Sequence, residues 1–109
     1  MNYSWEILKL GTRDETNSNG DVLEDSIVYV QWKKIATDVN GNVATYLSES
    51  KFSAADVSLD GFIALYDVTK ENVVGWIENS LTEEQTKMIN NVLAKKLEEK
   101  YSKTIIPNW

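Results

Sequence analysis

Ser26-Ile27-Val28-Tyr29-Val30-Gln31-Trp32-Lys33-Lys34-Ile35-Ala36-Thr37, then Asp38-Val39-Asn40-Gly41-Asn42, then Val43-Ala44-Thr45-Tyr46-Leu47-Ser48-Glu49-Ser50 decide the fold. In the first run β-branched and aromatic residues alternate with period two. Val28, Val30 and Trp32 fall on one face; Ile27, Tyr29, Gln31 and Lys33 fall on the other, which turns polar along its length. That is the pattern of a strand with one buried face. An Asn-Gly pair between two such runs is the strongest short-range signal for a β-hairpin. Strands are therefore expected over 26–37 and 43–50.

Upstream, Tyr3, Trp5 and Ile7 alternate with Ser4 and Glu6, a further strand. Leu8 and Leu10 break the alternation, which implies either burial on both faces or a bulge. Gly11 is read as the end of this strand, and residues 12–21 as a polar loop turning at Asn19-Gly20. Downstream, residues 51–68 are ambiguous. Phe62, Leu65 and Tyr66 stand at helical spacing and favour a short helix there over a fourth strand.

The last third is helical. Thr69 is placed to N-cap a helix with Glu71 in its first turn and Val73, Val74, Trp76 and Ile77 on its apolar face. Thr82 and Gln85 have capping-box spacing. The helix that follows carries Ile89, Leu93, Leu97 and Tyr101 every fourth residue and should run to about Tyr101. Glu83 with Lys87, and Glu99 with Lys103, have the favourable order for i,i+4 pairs. Gly75 inside the first helix suggests close packing against a strand.

Strands followed by helices define an α+β domain rather than a parallel α/β design. The expected architecture is an antiparallel sheet of three or four strands with two C-terminal helices packed on one face. Val28, Val30 and Trp32 should meet Trp76, Ile77, Ile89, Leu93 and Leu97 in the core. With 109 residues the chain reads as a single domain, 1–109. It is strand-rich over 1–50, a mixed connector over 51–68, helical over 69–101 and an extended tail over 102–109.

Composition narrows the chemistry. The chain has no Cys and no His, so disulfides, thiolate sites, zinc chemistry and Ser-His-Asp catalysis have no residues to work with. The net charge is −6, and no segment forms a basic patch that would neutralise phosphates or anionic lipid, so neither nucleic acid nor membrane is an expected partner. Met1-Asn2-Tyr3-Ser4-Trp5-Glu6 lacks the basic and apolar regions of a signal peptide.

Asp14, Glu15, Asp21, Glu24 and Asp25 gather in sequence, but such acids in polar loops suit neither a defined calcium loop nor a carboxylate pair with one raised pKa. Asp38-Val39-Asn40-Gly41-Asn42 imitates part of a calcium loop and is explained by the hairpin turn. Lys33 and Lys34 alternate to opposite faces and read as rim or edge lysines. No metal, no cofactor and no enzymatic activity are expected.

The remaining feature is the tail, Ile105-Ile106-Pro107-Asn108-Trp109. Pro107 forbids continued helix, and a loose Trp109 would leave a large apolar ring in water. Trp109, with Ile106 and Pro107 beside it, is the candidate interaction site. It docks either on its own domain or on a neighbouring subunit, since aromatic anchors are common at interfaces.

Four stretches carry a resemblance. They are Ser4-Trp5-Glu6-Ile7-Leu8-Lys9-Leu10; Val30-Gln31-Trp32-Lys33-Lys34-Ile35-Ala36-Thr37-Asp38; Val68-Thr69-Lys70-Glu71-Asn72-Val73-Val74-Gly75-Trp76-Ile77; and Pro107-Asn108-Trp109. In this order they resemble a family of short proteins encoded by tailed bacteriophages, marine and cyanobacterial phages in particular. The resemblance carries no catalytic residues. It implies a phage origin and expression in the host bacterial cytoplasm, with the virion as a further location. The expected function is that of a minor virion component or assembly accessory working through contacts with a phage or host protein, or as a homo-oligomer. The alternative is a small acidic modulator of a host protein.

Overall fold

The computed structural model describes residues 1–53, 57–101 and 107. Its order is β1 (Asn2–Thr16), β2 (Val22–Thr37), β3 (Val43–Lys51), a 3-10 turn (Leu65–Asp67), α1 (Lys70–Ser80) and α2 (Glu83–Tyr101). The strands form one antiparallel sheet in the order β1-β2-β3. The expected α+β arrangement is what the chain has, with three strands.

β2 is the central strand, and its parity sorts the molecule. Val30, Trp32 and Ala36 are buried on one face and join Val73 and Ile77 of α1 and Ile89, Leu93 and Leu97 of α2 in a single core. The opposite face carries Gln31, Lys33 and Ile35, paired across β3 with Glu49, Leu47 and Thr45. Leu47 remains 58% exposed, so the helices cover only one face.

Three irregularities shift that parity. Between the pairs Ile7↔Trp32 and Lys9↔Gln31, β1 holds one extra residue, Leu8. This bulge puts Leu10, opposite Val30, back on the face of Trp5 and Ile7. Between Gly11↔Tyr29 and Thr12↔Ile27 the extra residue is Val28 on β2. As a result Ile27 is buried and Val28 only half-buried, the reverse of strict alternation. A third shift, between Arg13↔Ser26 and Glu15↔Leu23, contains Asp25 at φ 50°.

Gly11 does not end β1. The strand runs on to Thr16, and Gly11 sits opposite Tyr29, where an added Cβ would lie 3.0 Å from the Tyr29 Cβ. Gly75 differs: an added Cβ would meet nothing within 4 Å, so close packing against a strand is not its reason.

The two hairpins turn by one device. In Asp38–Asn42 the Asp38 Oδ1 accepts the N–H of Asn40 and of Asn42, both at 2.9 Å, and Gly41 takes φ +82°. In Asn17–Asp21 the Asn17 Oδ1 accepts the N–H of Asn19 at 3.0 Å and of Asp21 at 2.9 Å, and Gly20 takes φ +84°. Only glycine enters that region without steric cost. Loss of hydration raises the pKa of Asp38, but hydrogen bonds from the backbone and side chain of Asn42 and the backbone of Asn40 outweigh it, so the net shift is downward.

Both helix starts are capped as the sequence predicts. Thr69 Oγ1 accepts the N–H of Asn72 and the Asn72 Oδ1 accepts the N–H of Thr69. Thr82 and Gln85 make the same reciprocal pair, at 3.1 and 2.9 Å. Lys87 pairs with Glu83, whereas Glu99 pairs with Lys95; Lys103 lies outside the described residues. In the connector the 3-10 turn leaves Tyr66 95% exposed while Phe62 and Leu65 are half-buried, so these three do not share a buried helical face.

Two outcomes follow from this geometry. A depressed carboxylate stabilises above its unfolded pKa of about 3.9 and loses that contribution as pH falls through its folded value. Acid should therefore lower the amide protection factors, taken against the intrinsic exchange rate at each pH, at Asn40 and Asn42 but not at Asn19 and Asp21, whose shared acceptor is an uncharged amide; an equal loss of protection at both turns would refute the assignment. In urea unfolding, Gly75→Ala should raise stability by about 0.5–1 kcal/mol, and Gly11→Ala should lower it.

Candidate protein-binding cleft

β3 does not stop abruptly. The Phe52 N–H donates to the Val28 carbonyl at 2.9 Å, which adds one residue to the ladder. α1 buries Val73 and Ile77, so Trp76 and Ser80, one helical turn apart, lie on the adjacent stripe. The Trp76 and Phe52 rings meet edge to face with centroids 6.4 Å apart. The chain then turns at 58–61, where the Gly61 N–H donates to both the carbonyl and the hydroxyl of Ser58. This turn sends Phe62 and Ile63 back toward α1.

Between these walls lies a cleft of about 400 Å³. Ile27 forms its floor; Phe52, Phe62, Ile63 and Trp76 form its sides; Ser26, Asn79 and Ser80 supply hydroxyl and amide groups. Among the described residues that line it there is no Asp, Glu, Lys or Arg. A surface of this kind accepts an apolar group by burial and fixes its orientation with a few polar contacts.

One side chain pins the outer wall. Asn17, buried in the β1–β2 turn, donates through Nδ2 to the Val57 carbonyl at 2.9 Å and to Asp21 Oδ2 at 3.3 Å. The connector is thereby tied to the hairpin tip.

Pro107 is exposed, and Ile106 and Trp109 lie outside the described residues. The acidic residues do not converge. Glu15 pairs with Arg13 at 3.0 Å, Asp14 accepts the Asp25 N–H, and Asp21 accepts from Asn17. Among the described residues no cluster of three or more acids is arranged to hold a metal.

Lys33 and Lys34 do point to opposite faces, but neither is an edge residue, because β2 is central. Lys33 pairs with Glu6 at 3.0 Å on the open face. Lys34 is buried on the helix side, its Nζ 2.8 Å from Asn90 Oδ1, 4.7 Å from the Tyr3 ring and 5.0 Å from the Trp5 ring. Two aromatic faces and one amide hold this ammonium in place of water. Burial lowers its pKa, and the Glu78 carboxylate partly opposes the shift.

The aromatic cleft was not legible as a site in the sequence. Its described lining residues come from separated stretches of the chain, and only Trp76 stood out. The fold and cleft together define a small α+β module with an open apolar recess and no long apolar helix among the described residues that could cross a membrane. The chain belongs to the family described as Domain of unknown function (DUF7936), whose model matches residues 1–108. No curated protein and no solved structure matches it.

Between the lowered folded pKa of Lys34 and the unfolded value of about 10.4, the unfolded chain binds more protons, so stability rises with pH through that window. Lys34→Met should be at least as stable as the parent at pH 7, because an apolar side chain of similar volume avoids burying the charge. It should also lack the parent's extra gain on going to about pH 9.5. Urea unfolding of both chains at the two pH values measures this; parallel curves would show that Lys34 titrates as in water.

Proposed function

We propose that this chain is a non-enzymatic phage protein, a minor virion component or an assembly accessory that works by gripping a protein segment. The observation that carries the reading is the cleft: aromatic walls, no ionisable side chain among the described lining residues, and a few uncharged polar groups at its margin. Such a recess suits an aromatic or aliphatic anchor, the kind of group that dominates binding energy at protein interfaces. The four stretches that resemble tailed-phage proteins support the setting, and the host cytoplasm or the assembled particle is where the partner would be met.

Quantitative mass spectrometry of purified particles of the source phage tests the reading. A fixed copy number per particle is the expected result for a component, and a fixed ratio in assembly intermediates is the expected result for an accessory. Absence from both, with abundance in infected cells, would overturn it in favour of an acidic modulator of a host protein. The acids on the β1–β2 hairpin favour that second reading: Asp14, Glu24 and Asp25 are exposed there, and a negative surface speeds encounter with a basic partner.

A further inference from the structure

The cleft adjoins the start of α2, and residues 102–109 follow its end. Asn79 and Ser80 line the cleft, and α2 begins three residues beyond Ser80, at Glu83. α2 then runs for 19 residues, which carries the chain about 28 Å away from its start. On its way Lys96 donates to the Thr45 carbonyl at 2.8 Å. Thr45 is opposite Ile35, near the end of β2 remote from Ile27. Trp109 stands eight residues beyond Tyr101, and eight residues span at most about 26–29 Å when fully extended. To return Trp109 to its own cleft, the tail would have to retrace the whole helix in a straight line with no slack.

The chemistry of the two parts matches. Ile105, Ile106, Pro107, Asn108 and Trp109 carry no ionisable side chain, and neither do the described residues of the cleft lining. The last charged side chain is Lys103, so the apolar stretch starts after it, separated from α2 by a short polar spacer. Pro107 restricts the backbone before binding, which lowers the ordering cost of docking an extended segment. An indole with an N–H donor suits a recess whose margin offers the Ser26 and Ser80 hydroxyls and the Asn79 side-chain carbonyl.

We infer that the cleft receives the Ile105–Trp109 segment of a second copy of this chain, with Trp109 as the anchor among Phe52, Phe62 and Trp76. The inference rests on the reading of the cleft as a protein-binding recess and specifies its occupant. Each chain has one tail and one cleft at separated positions. The contact is therefore head-to-tail, and it closes as a ring or continues as a filament according to the rotation between copies.

The full chain tests this in two ways. Sedimentation velocity over a range of concentrations should show self-association, and Trp109→Ala should weaken it by at least about tenfold. Circular dichroism and urea unfolding establish that the variant is folded. Independently, because the chain has no Cys, Asn79→Cys and Asn108→Cys can be placed in separate chains and mixed under mild oxidation. A disulfide-linked heterodimer is expected, and Trp109→Ala added to the tail-bearing chain should suppress it.

A chain that is monomeric at every concentration, an assembly unchanged by Trp109→Ala, or a doubly substituted chain that links within itself would each overturn the inference. A monomer found at fixed copy number in particles would sink the self-docking and leave the cleft as a recess for another protein's segment. A monomer absent from particles and from assembly intermediates would remove both.

Discussion

An indole buried at the centre of a sheet sets conditions on everything near it. Trp32 is 1% exposed and stands on the middle strand. Its N–H needs an acceptor, and Ser50 on β3 supplies one at 3.0 Å. Its ring needs neighbours on both sides. Trp5 from β1 lies 5.2 Å away and Tyr46 from β3 lies 6.2 Å away. One side chain thus ties all three strands together on a single face, and α1 and α2 close over that face. The next inward position is Lys34, whose ammonium rests on Trp5 and Tyr3. The aromatic row is therefore both the core of the sheet and the environment that makes a buried cation tolerable.

Local chemistry was readable from the sequence where a few adjacent residues determine it. Thr69, Thr82 and Gln85 announce helix starts, and Asn40-Gly41 announces a hairpin, because these structures close within five residues. The face of the sheet that becomes the core was also readable from Val30, Trp32 and the fourfold spacing of Ile89, Leu93 and Leu97. What escaped was set across strands. No local signal separates Val28 as an unpaired bulge residue from Val28 as a core residue. Gly11 marks close approach of the Tyr29 ring and not a strand end, and that depends on a partner in β2. Lys34 reads as polar and outward unless the neighbouring rings are known. The cleft escaped for the same reason, since Ile27, Phe52, Phe62 and Trp76 are brought together only by the fold.

The cleft and the core differ in how they are finished. The core is sealed by residues from every element, with Leu93, Ile77 and Val30 fully buried. The cleft is bounded by the same sheet and the same α1, but its far wall is the connector after β3, whose described residues carry no strand and only a 3-10 turn near its end. A wall of turns can hold an open recess because its backbone groups are satisfied locally, as at Ser58 and Gly61. A packed helix in that place would have brought its own apolar stripe and filled the space.

The two five-residue turns share Asn-Gly at their third and fourth positions and differ in the chemistry of their first. Asp38 has acceptors alone, and its turn is complete within itself. Asn17 has the same acceptor plus two donor hydrogens, and one of them reaches a carbonyl forty residues away in sequence. An amide in place of a carboxylate thus converts a stand-alone reversal of the chain into a rivet between distant parts of the molecule. Read as a design rule, the pattern Asx-Xaa-Asn-Gly-Asx specifies the bend, and the identity of its leading residue specifies whether that bend is also a joint.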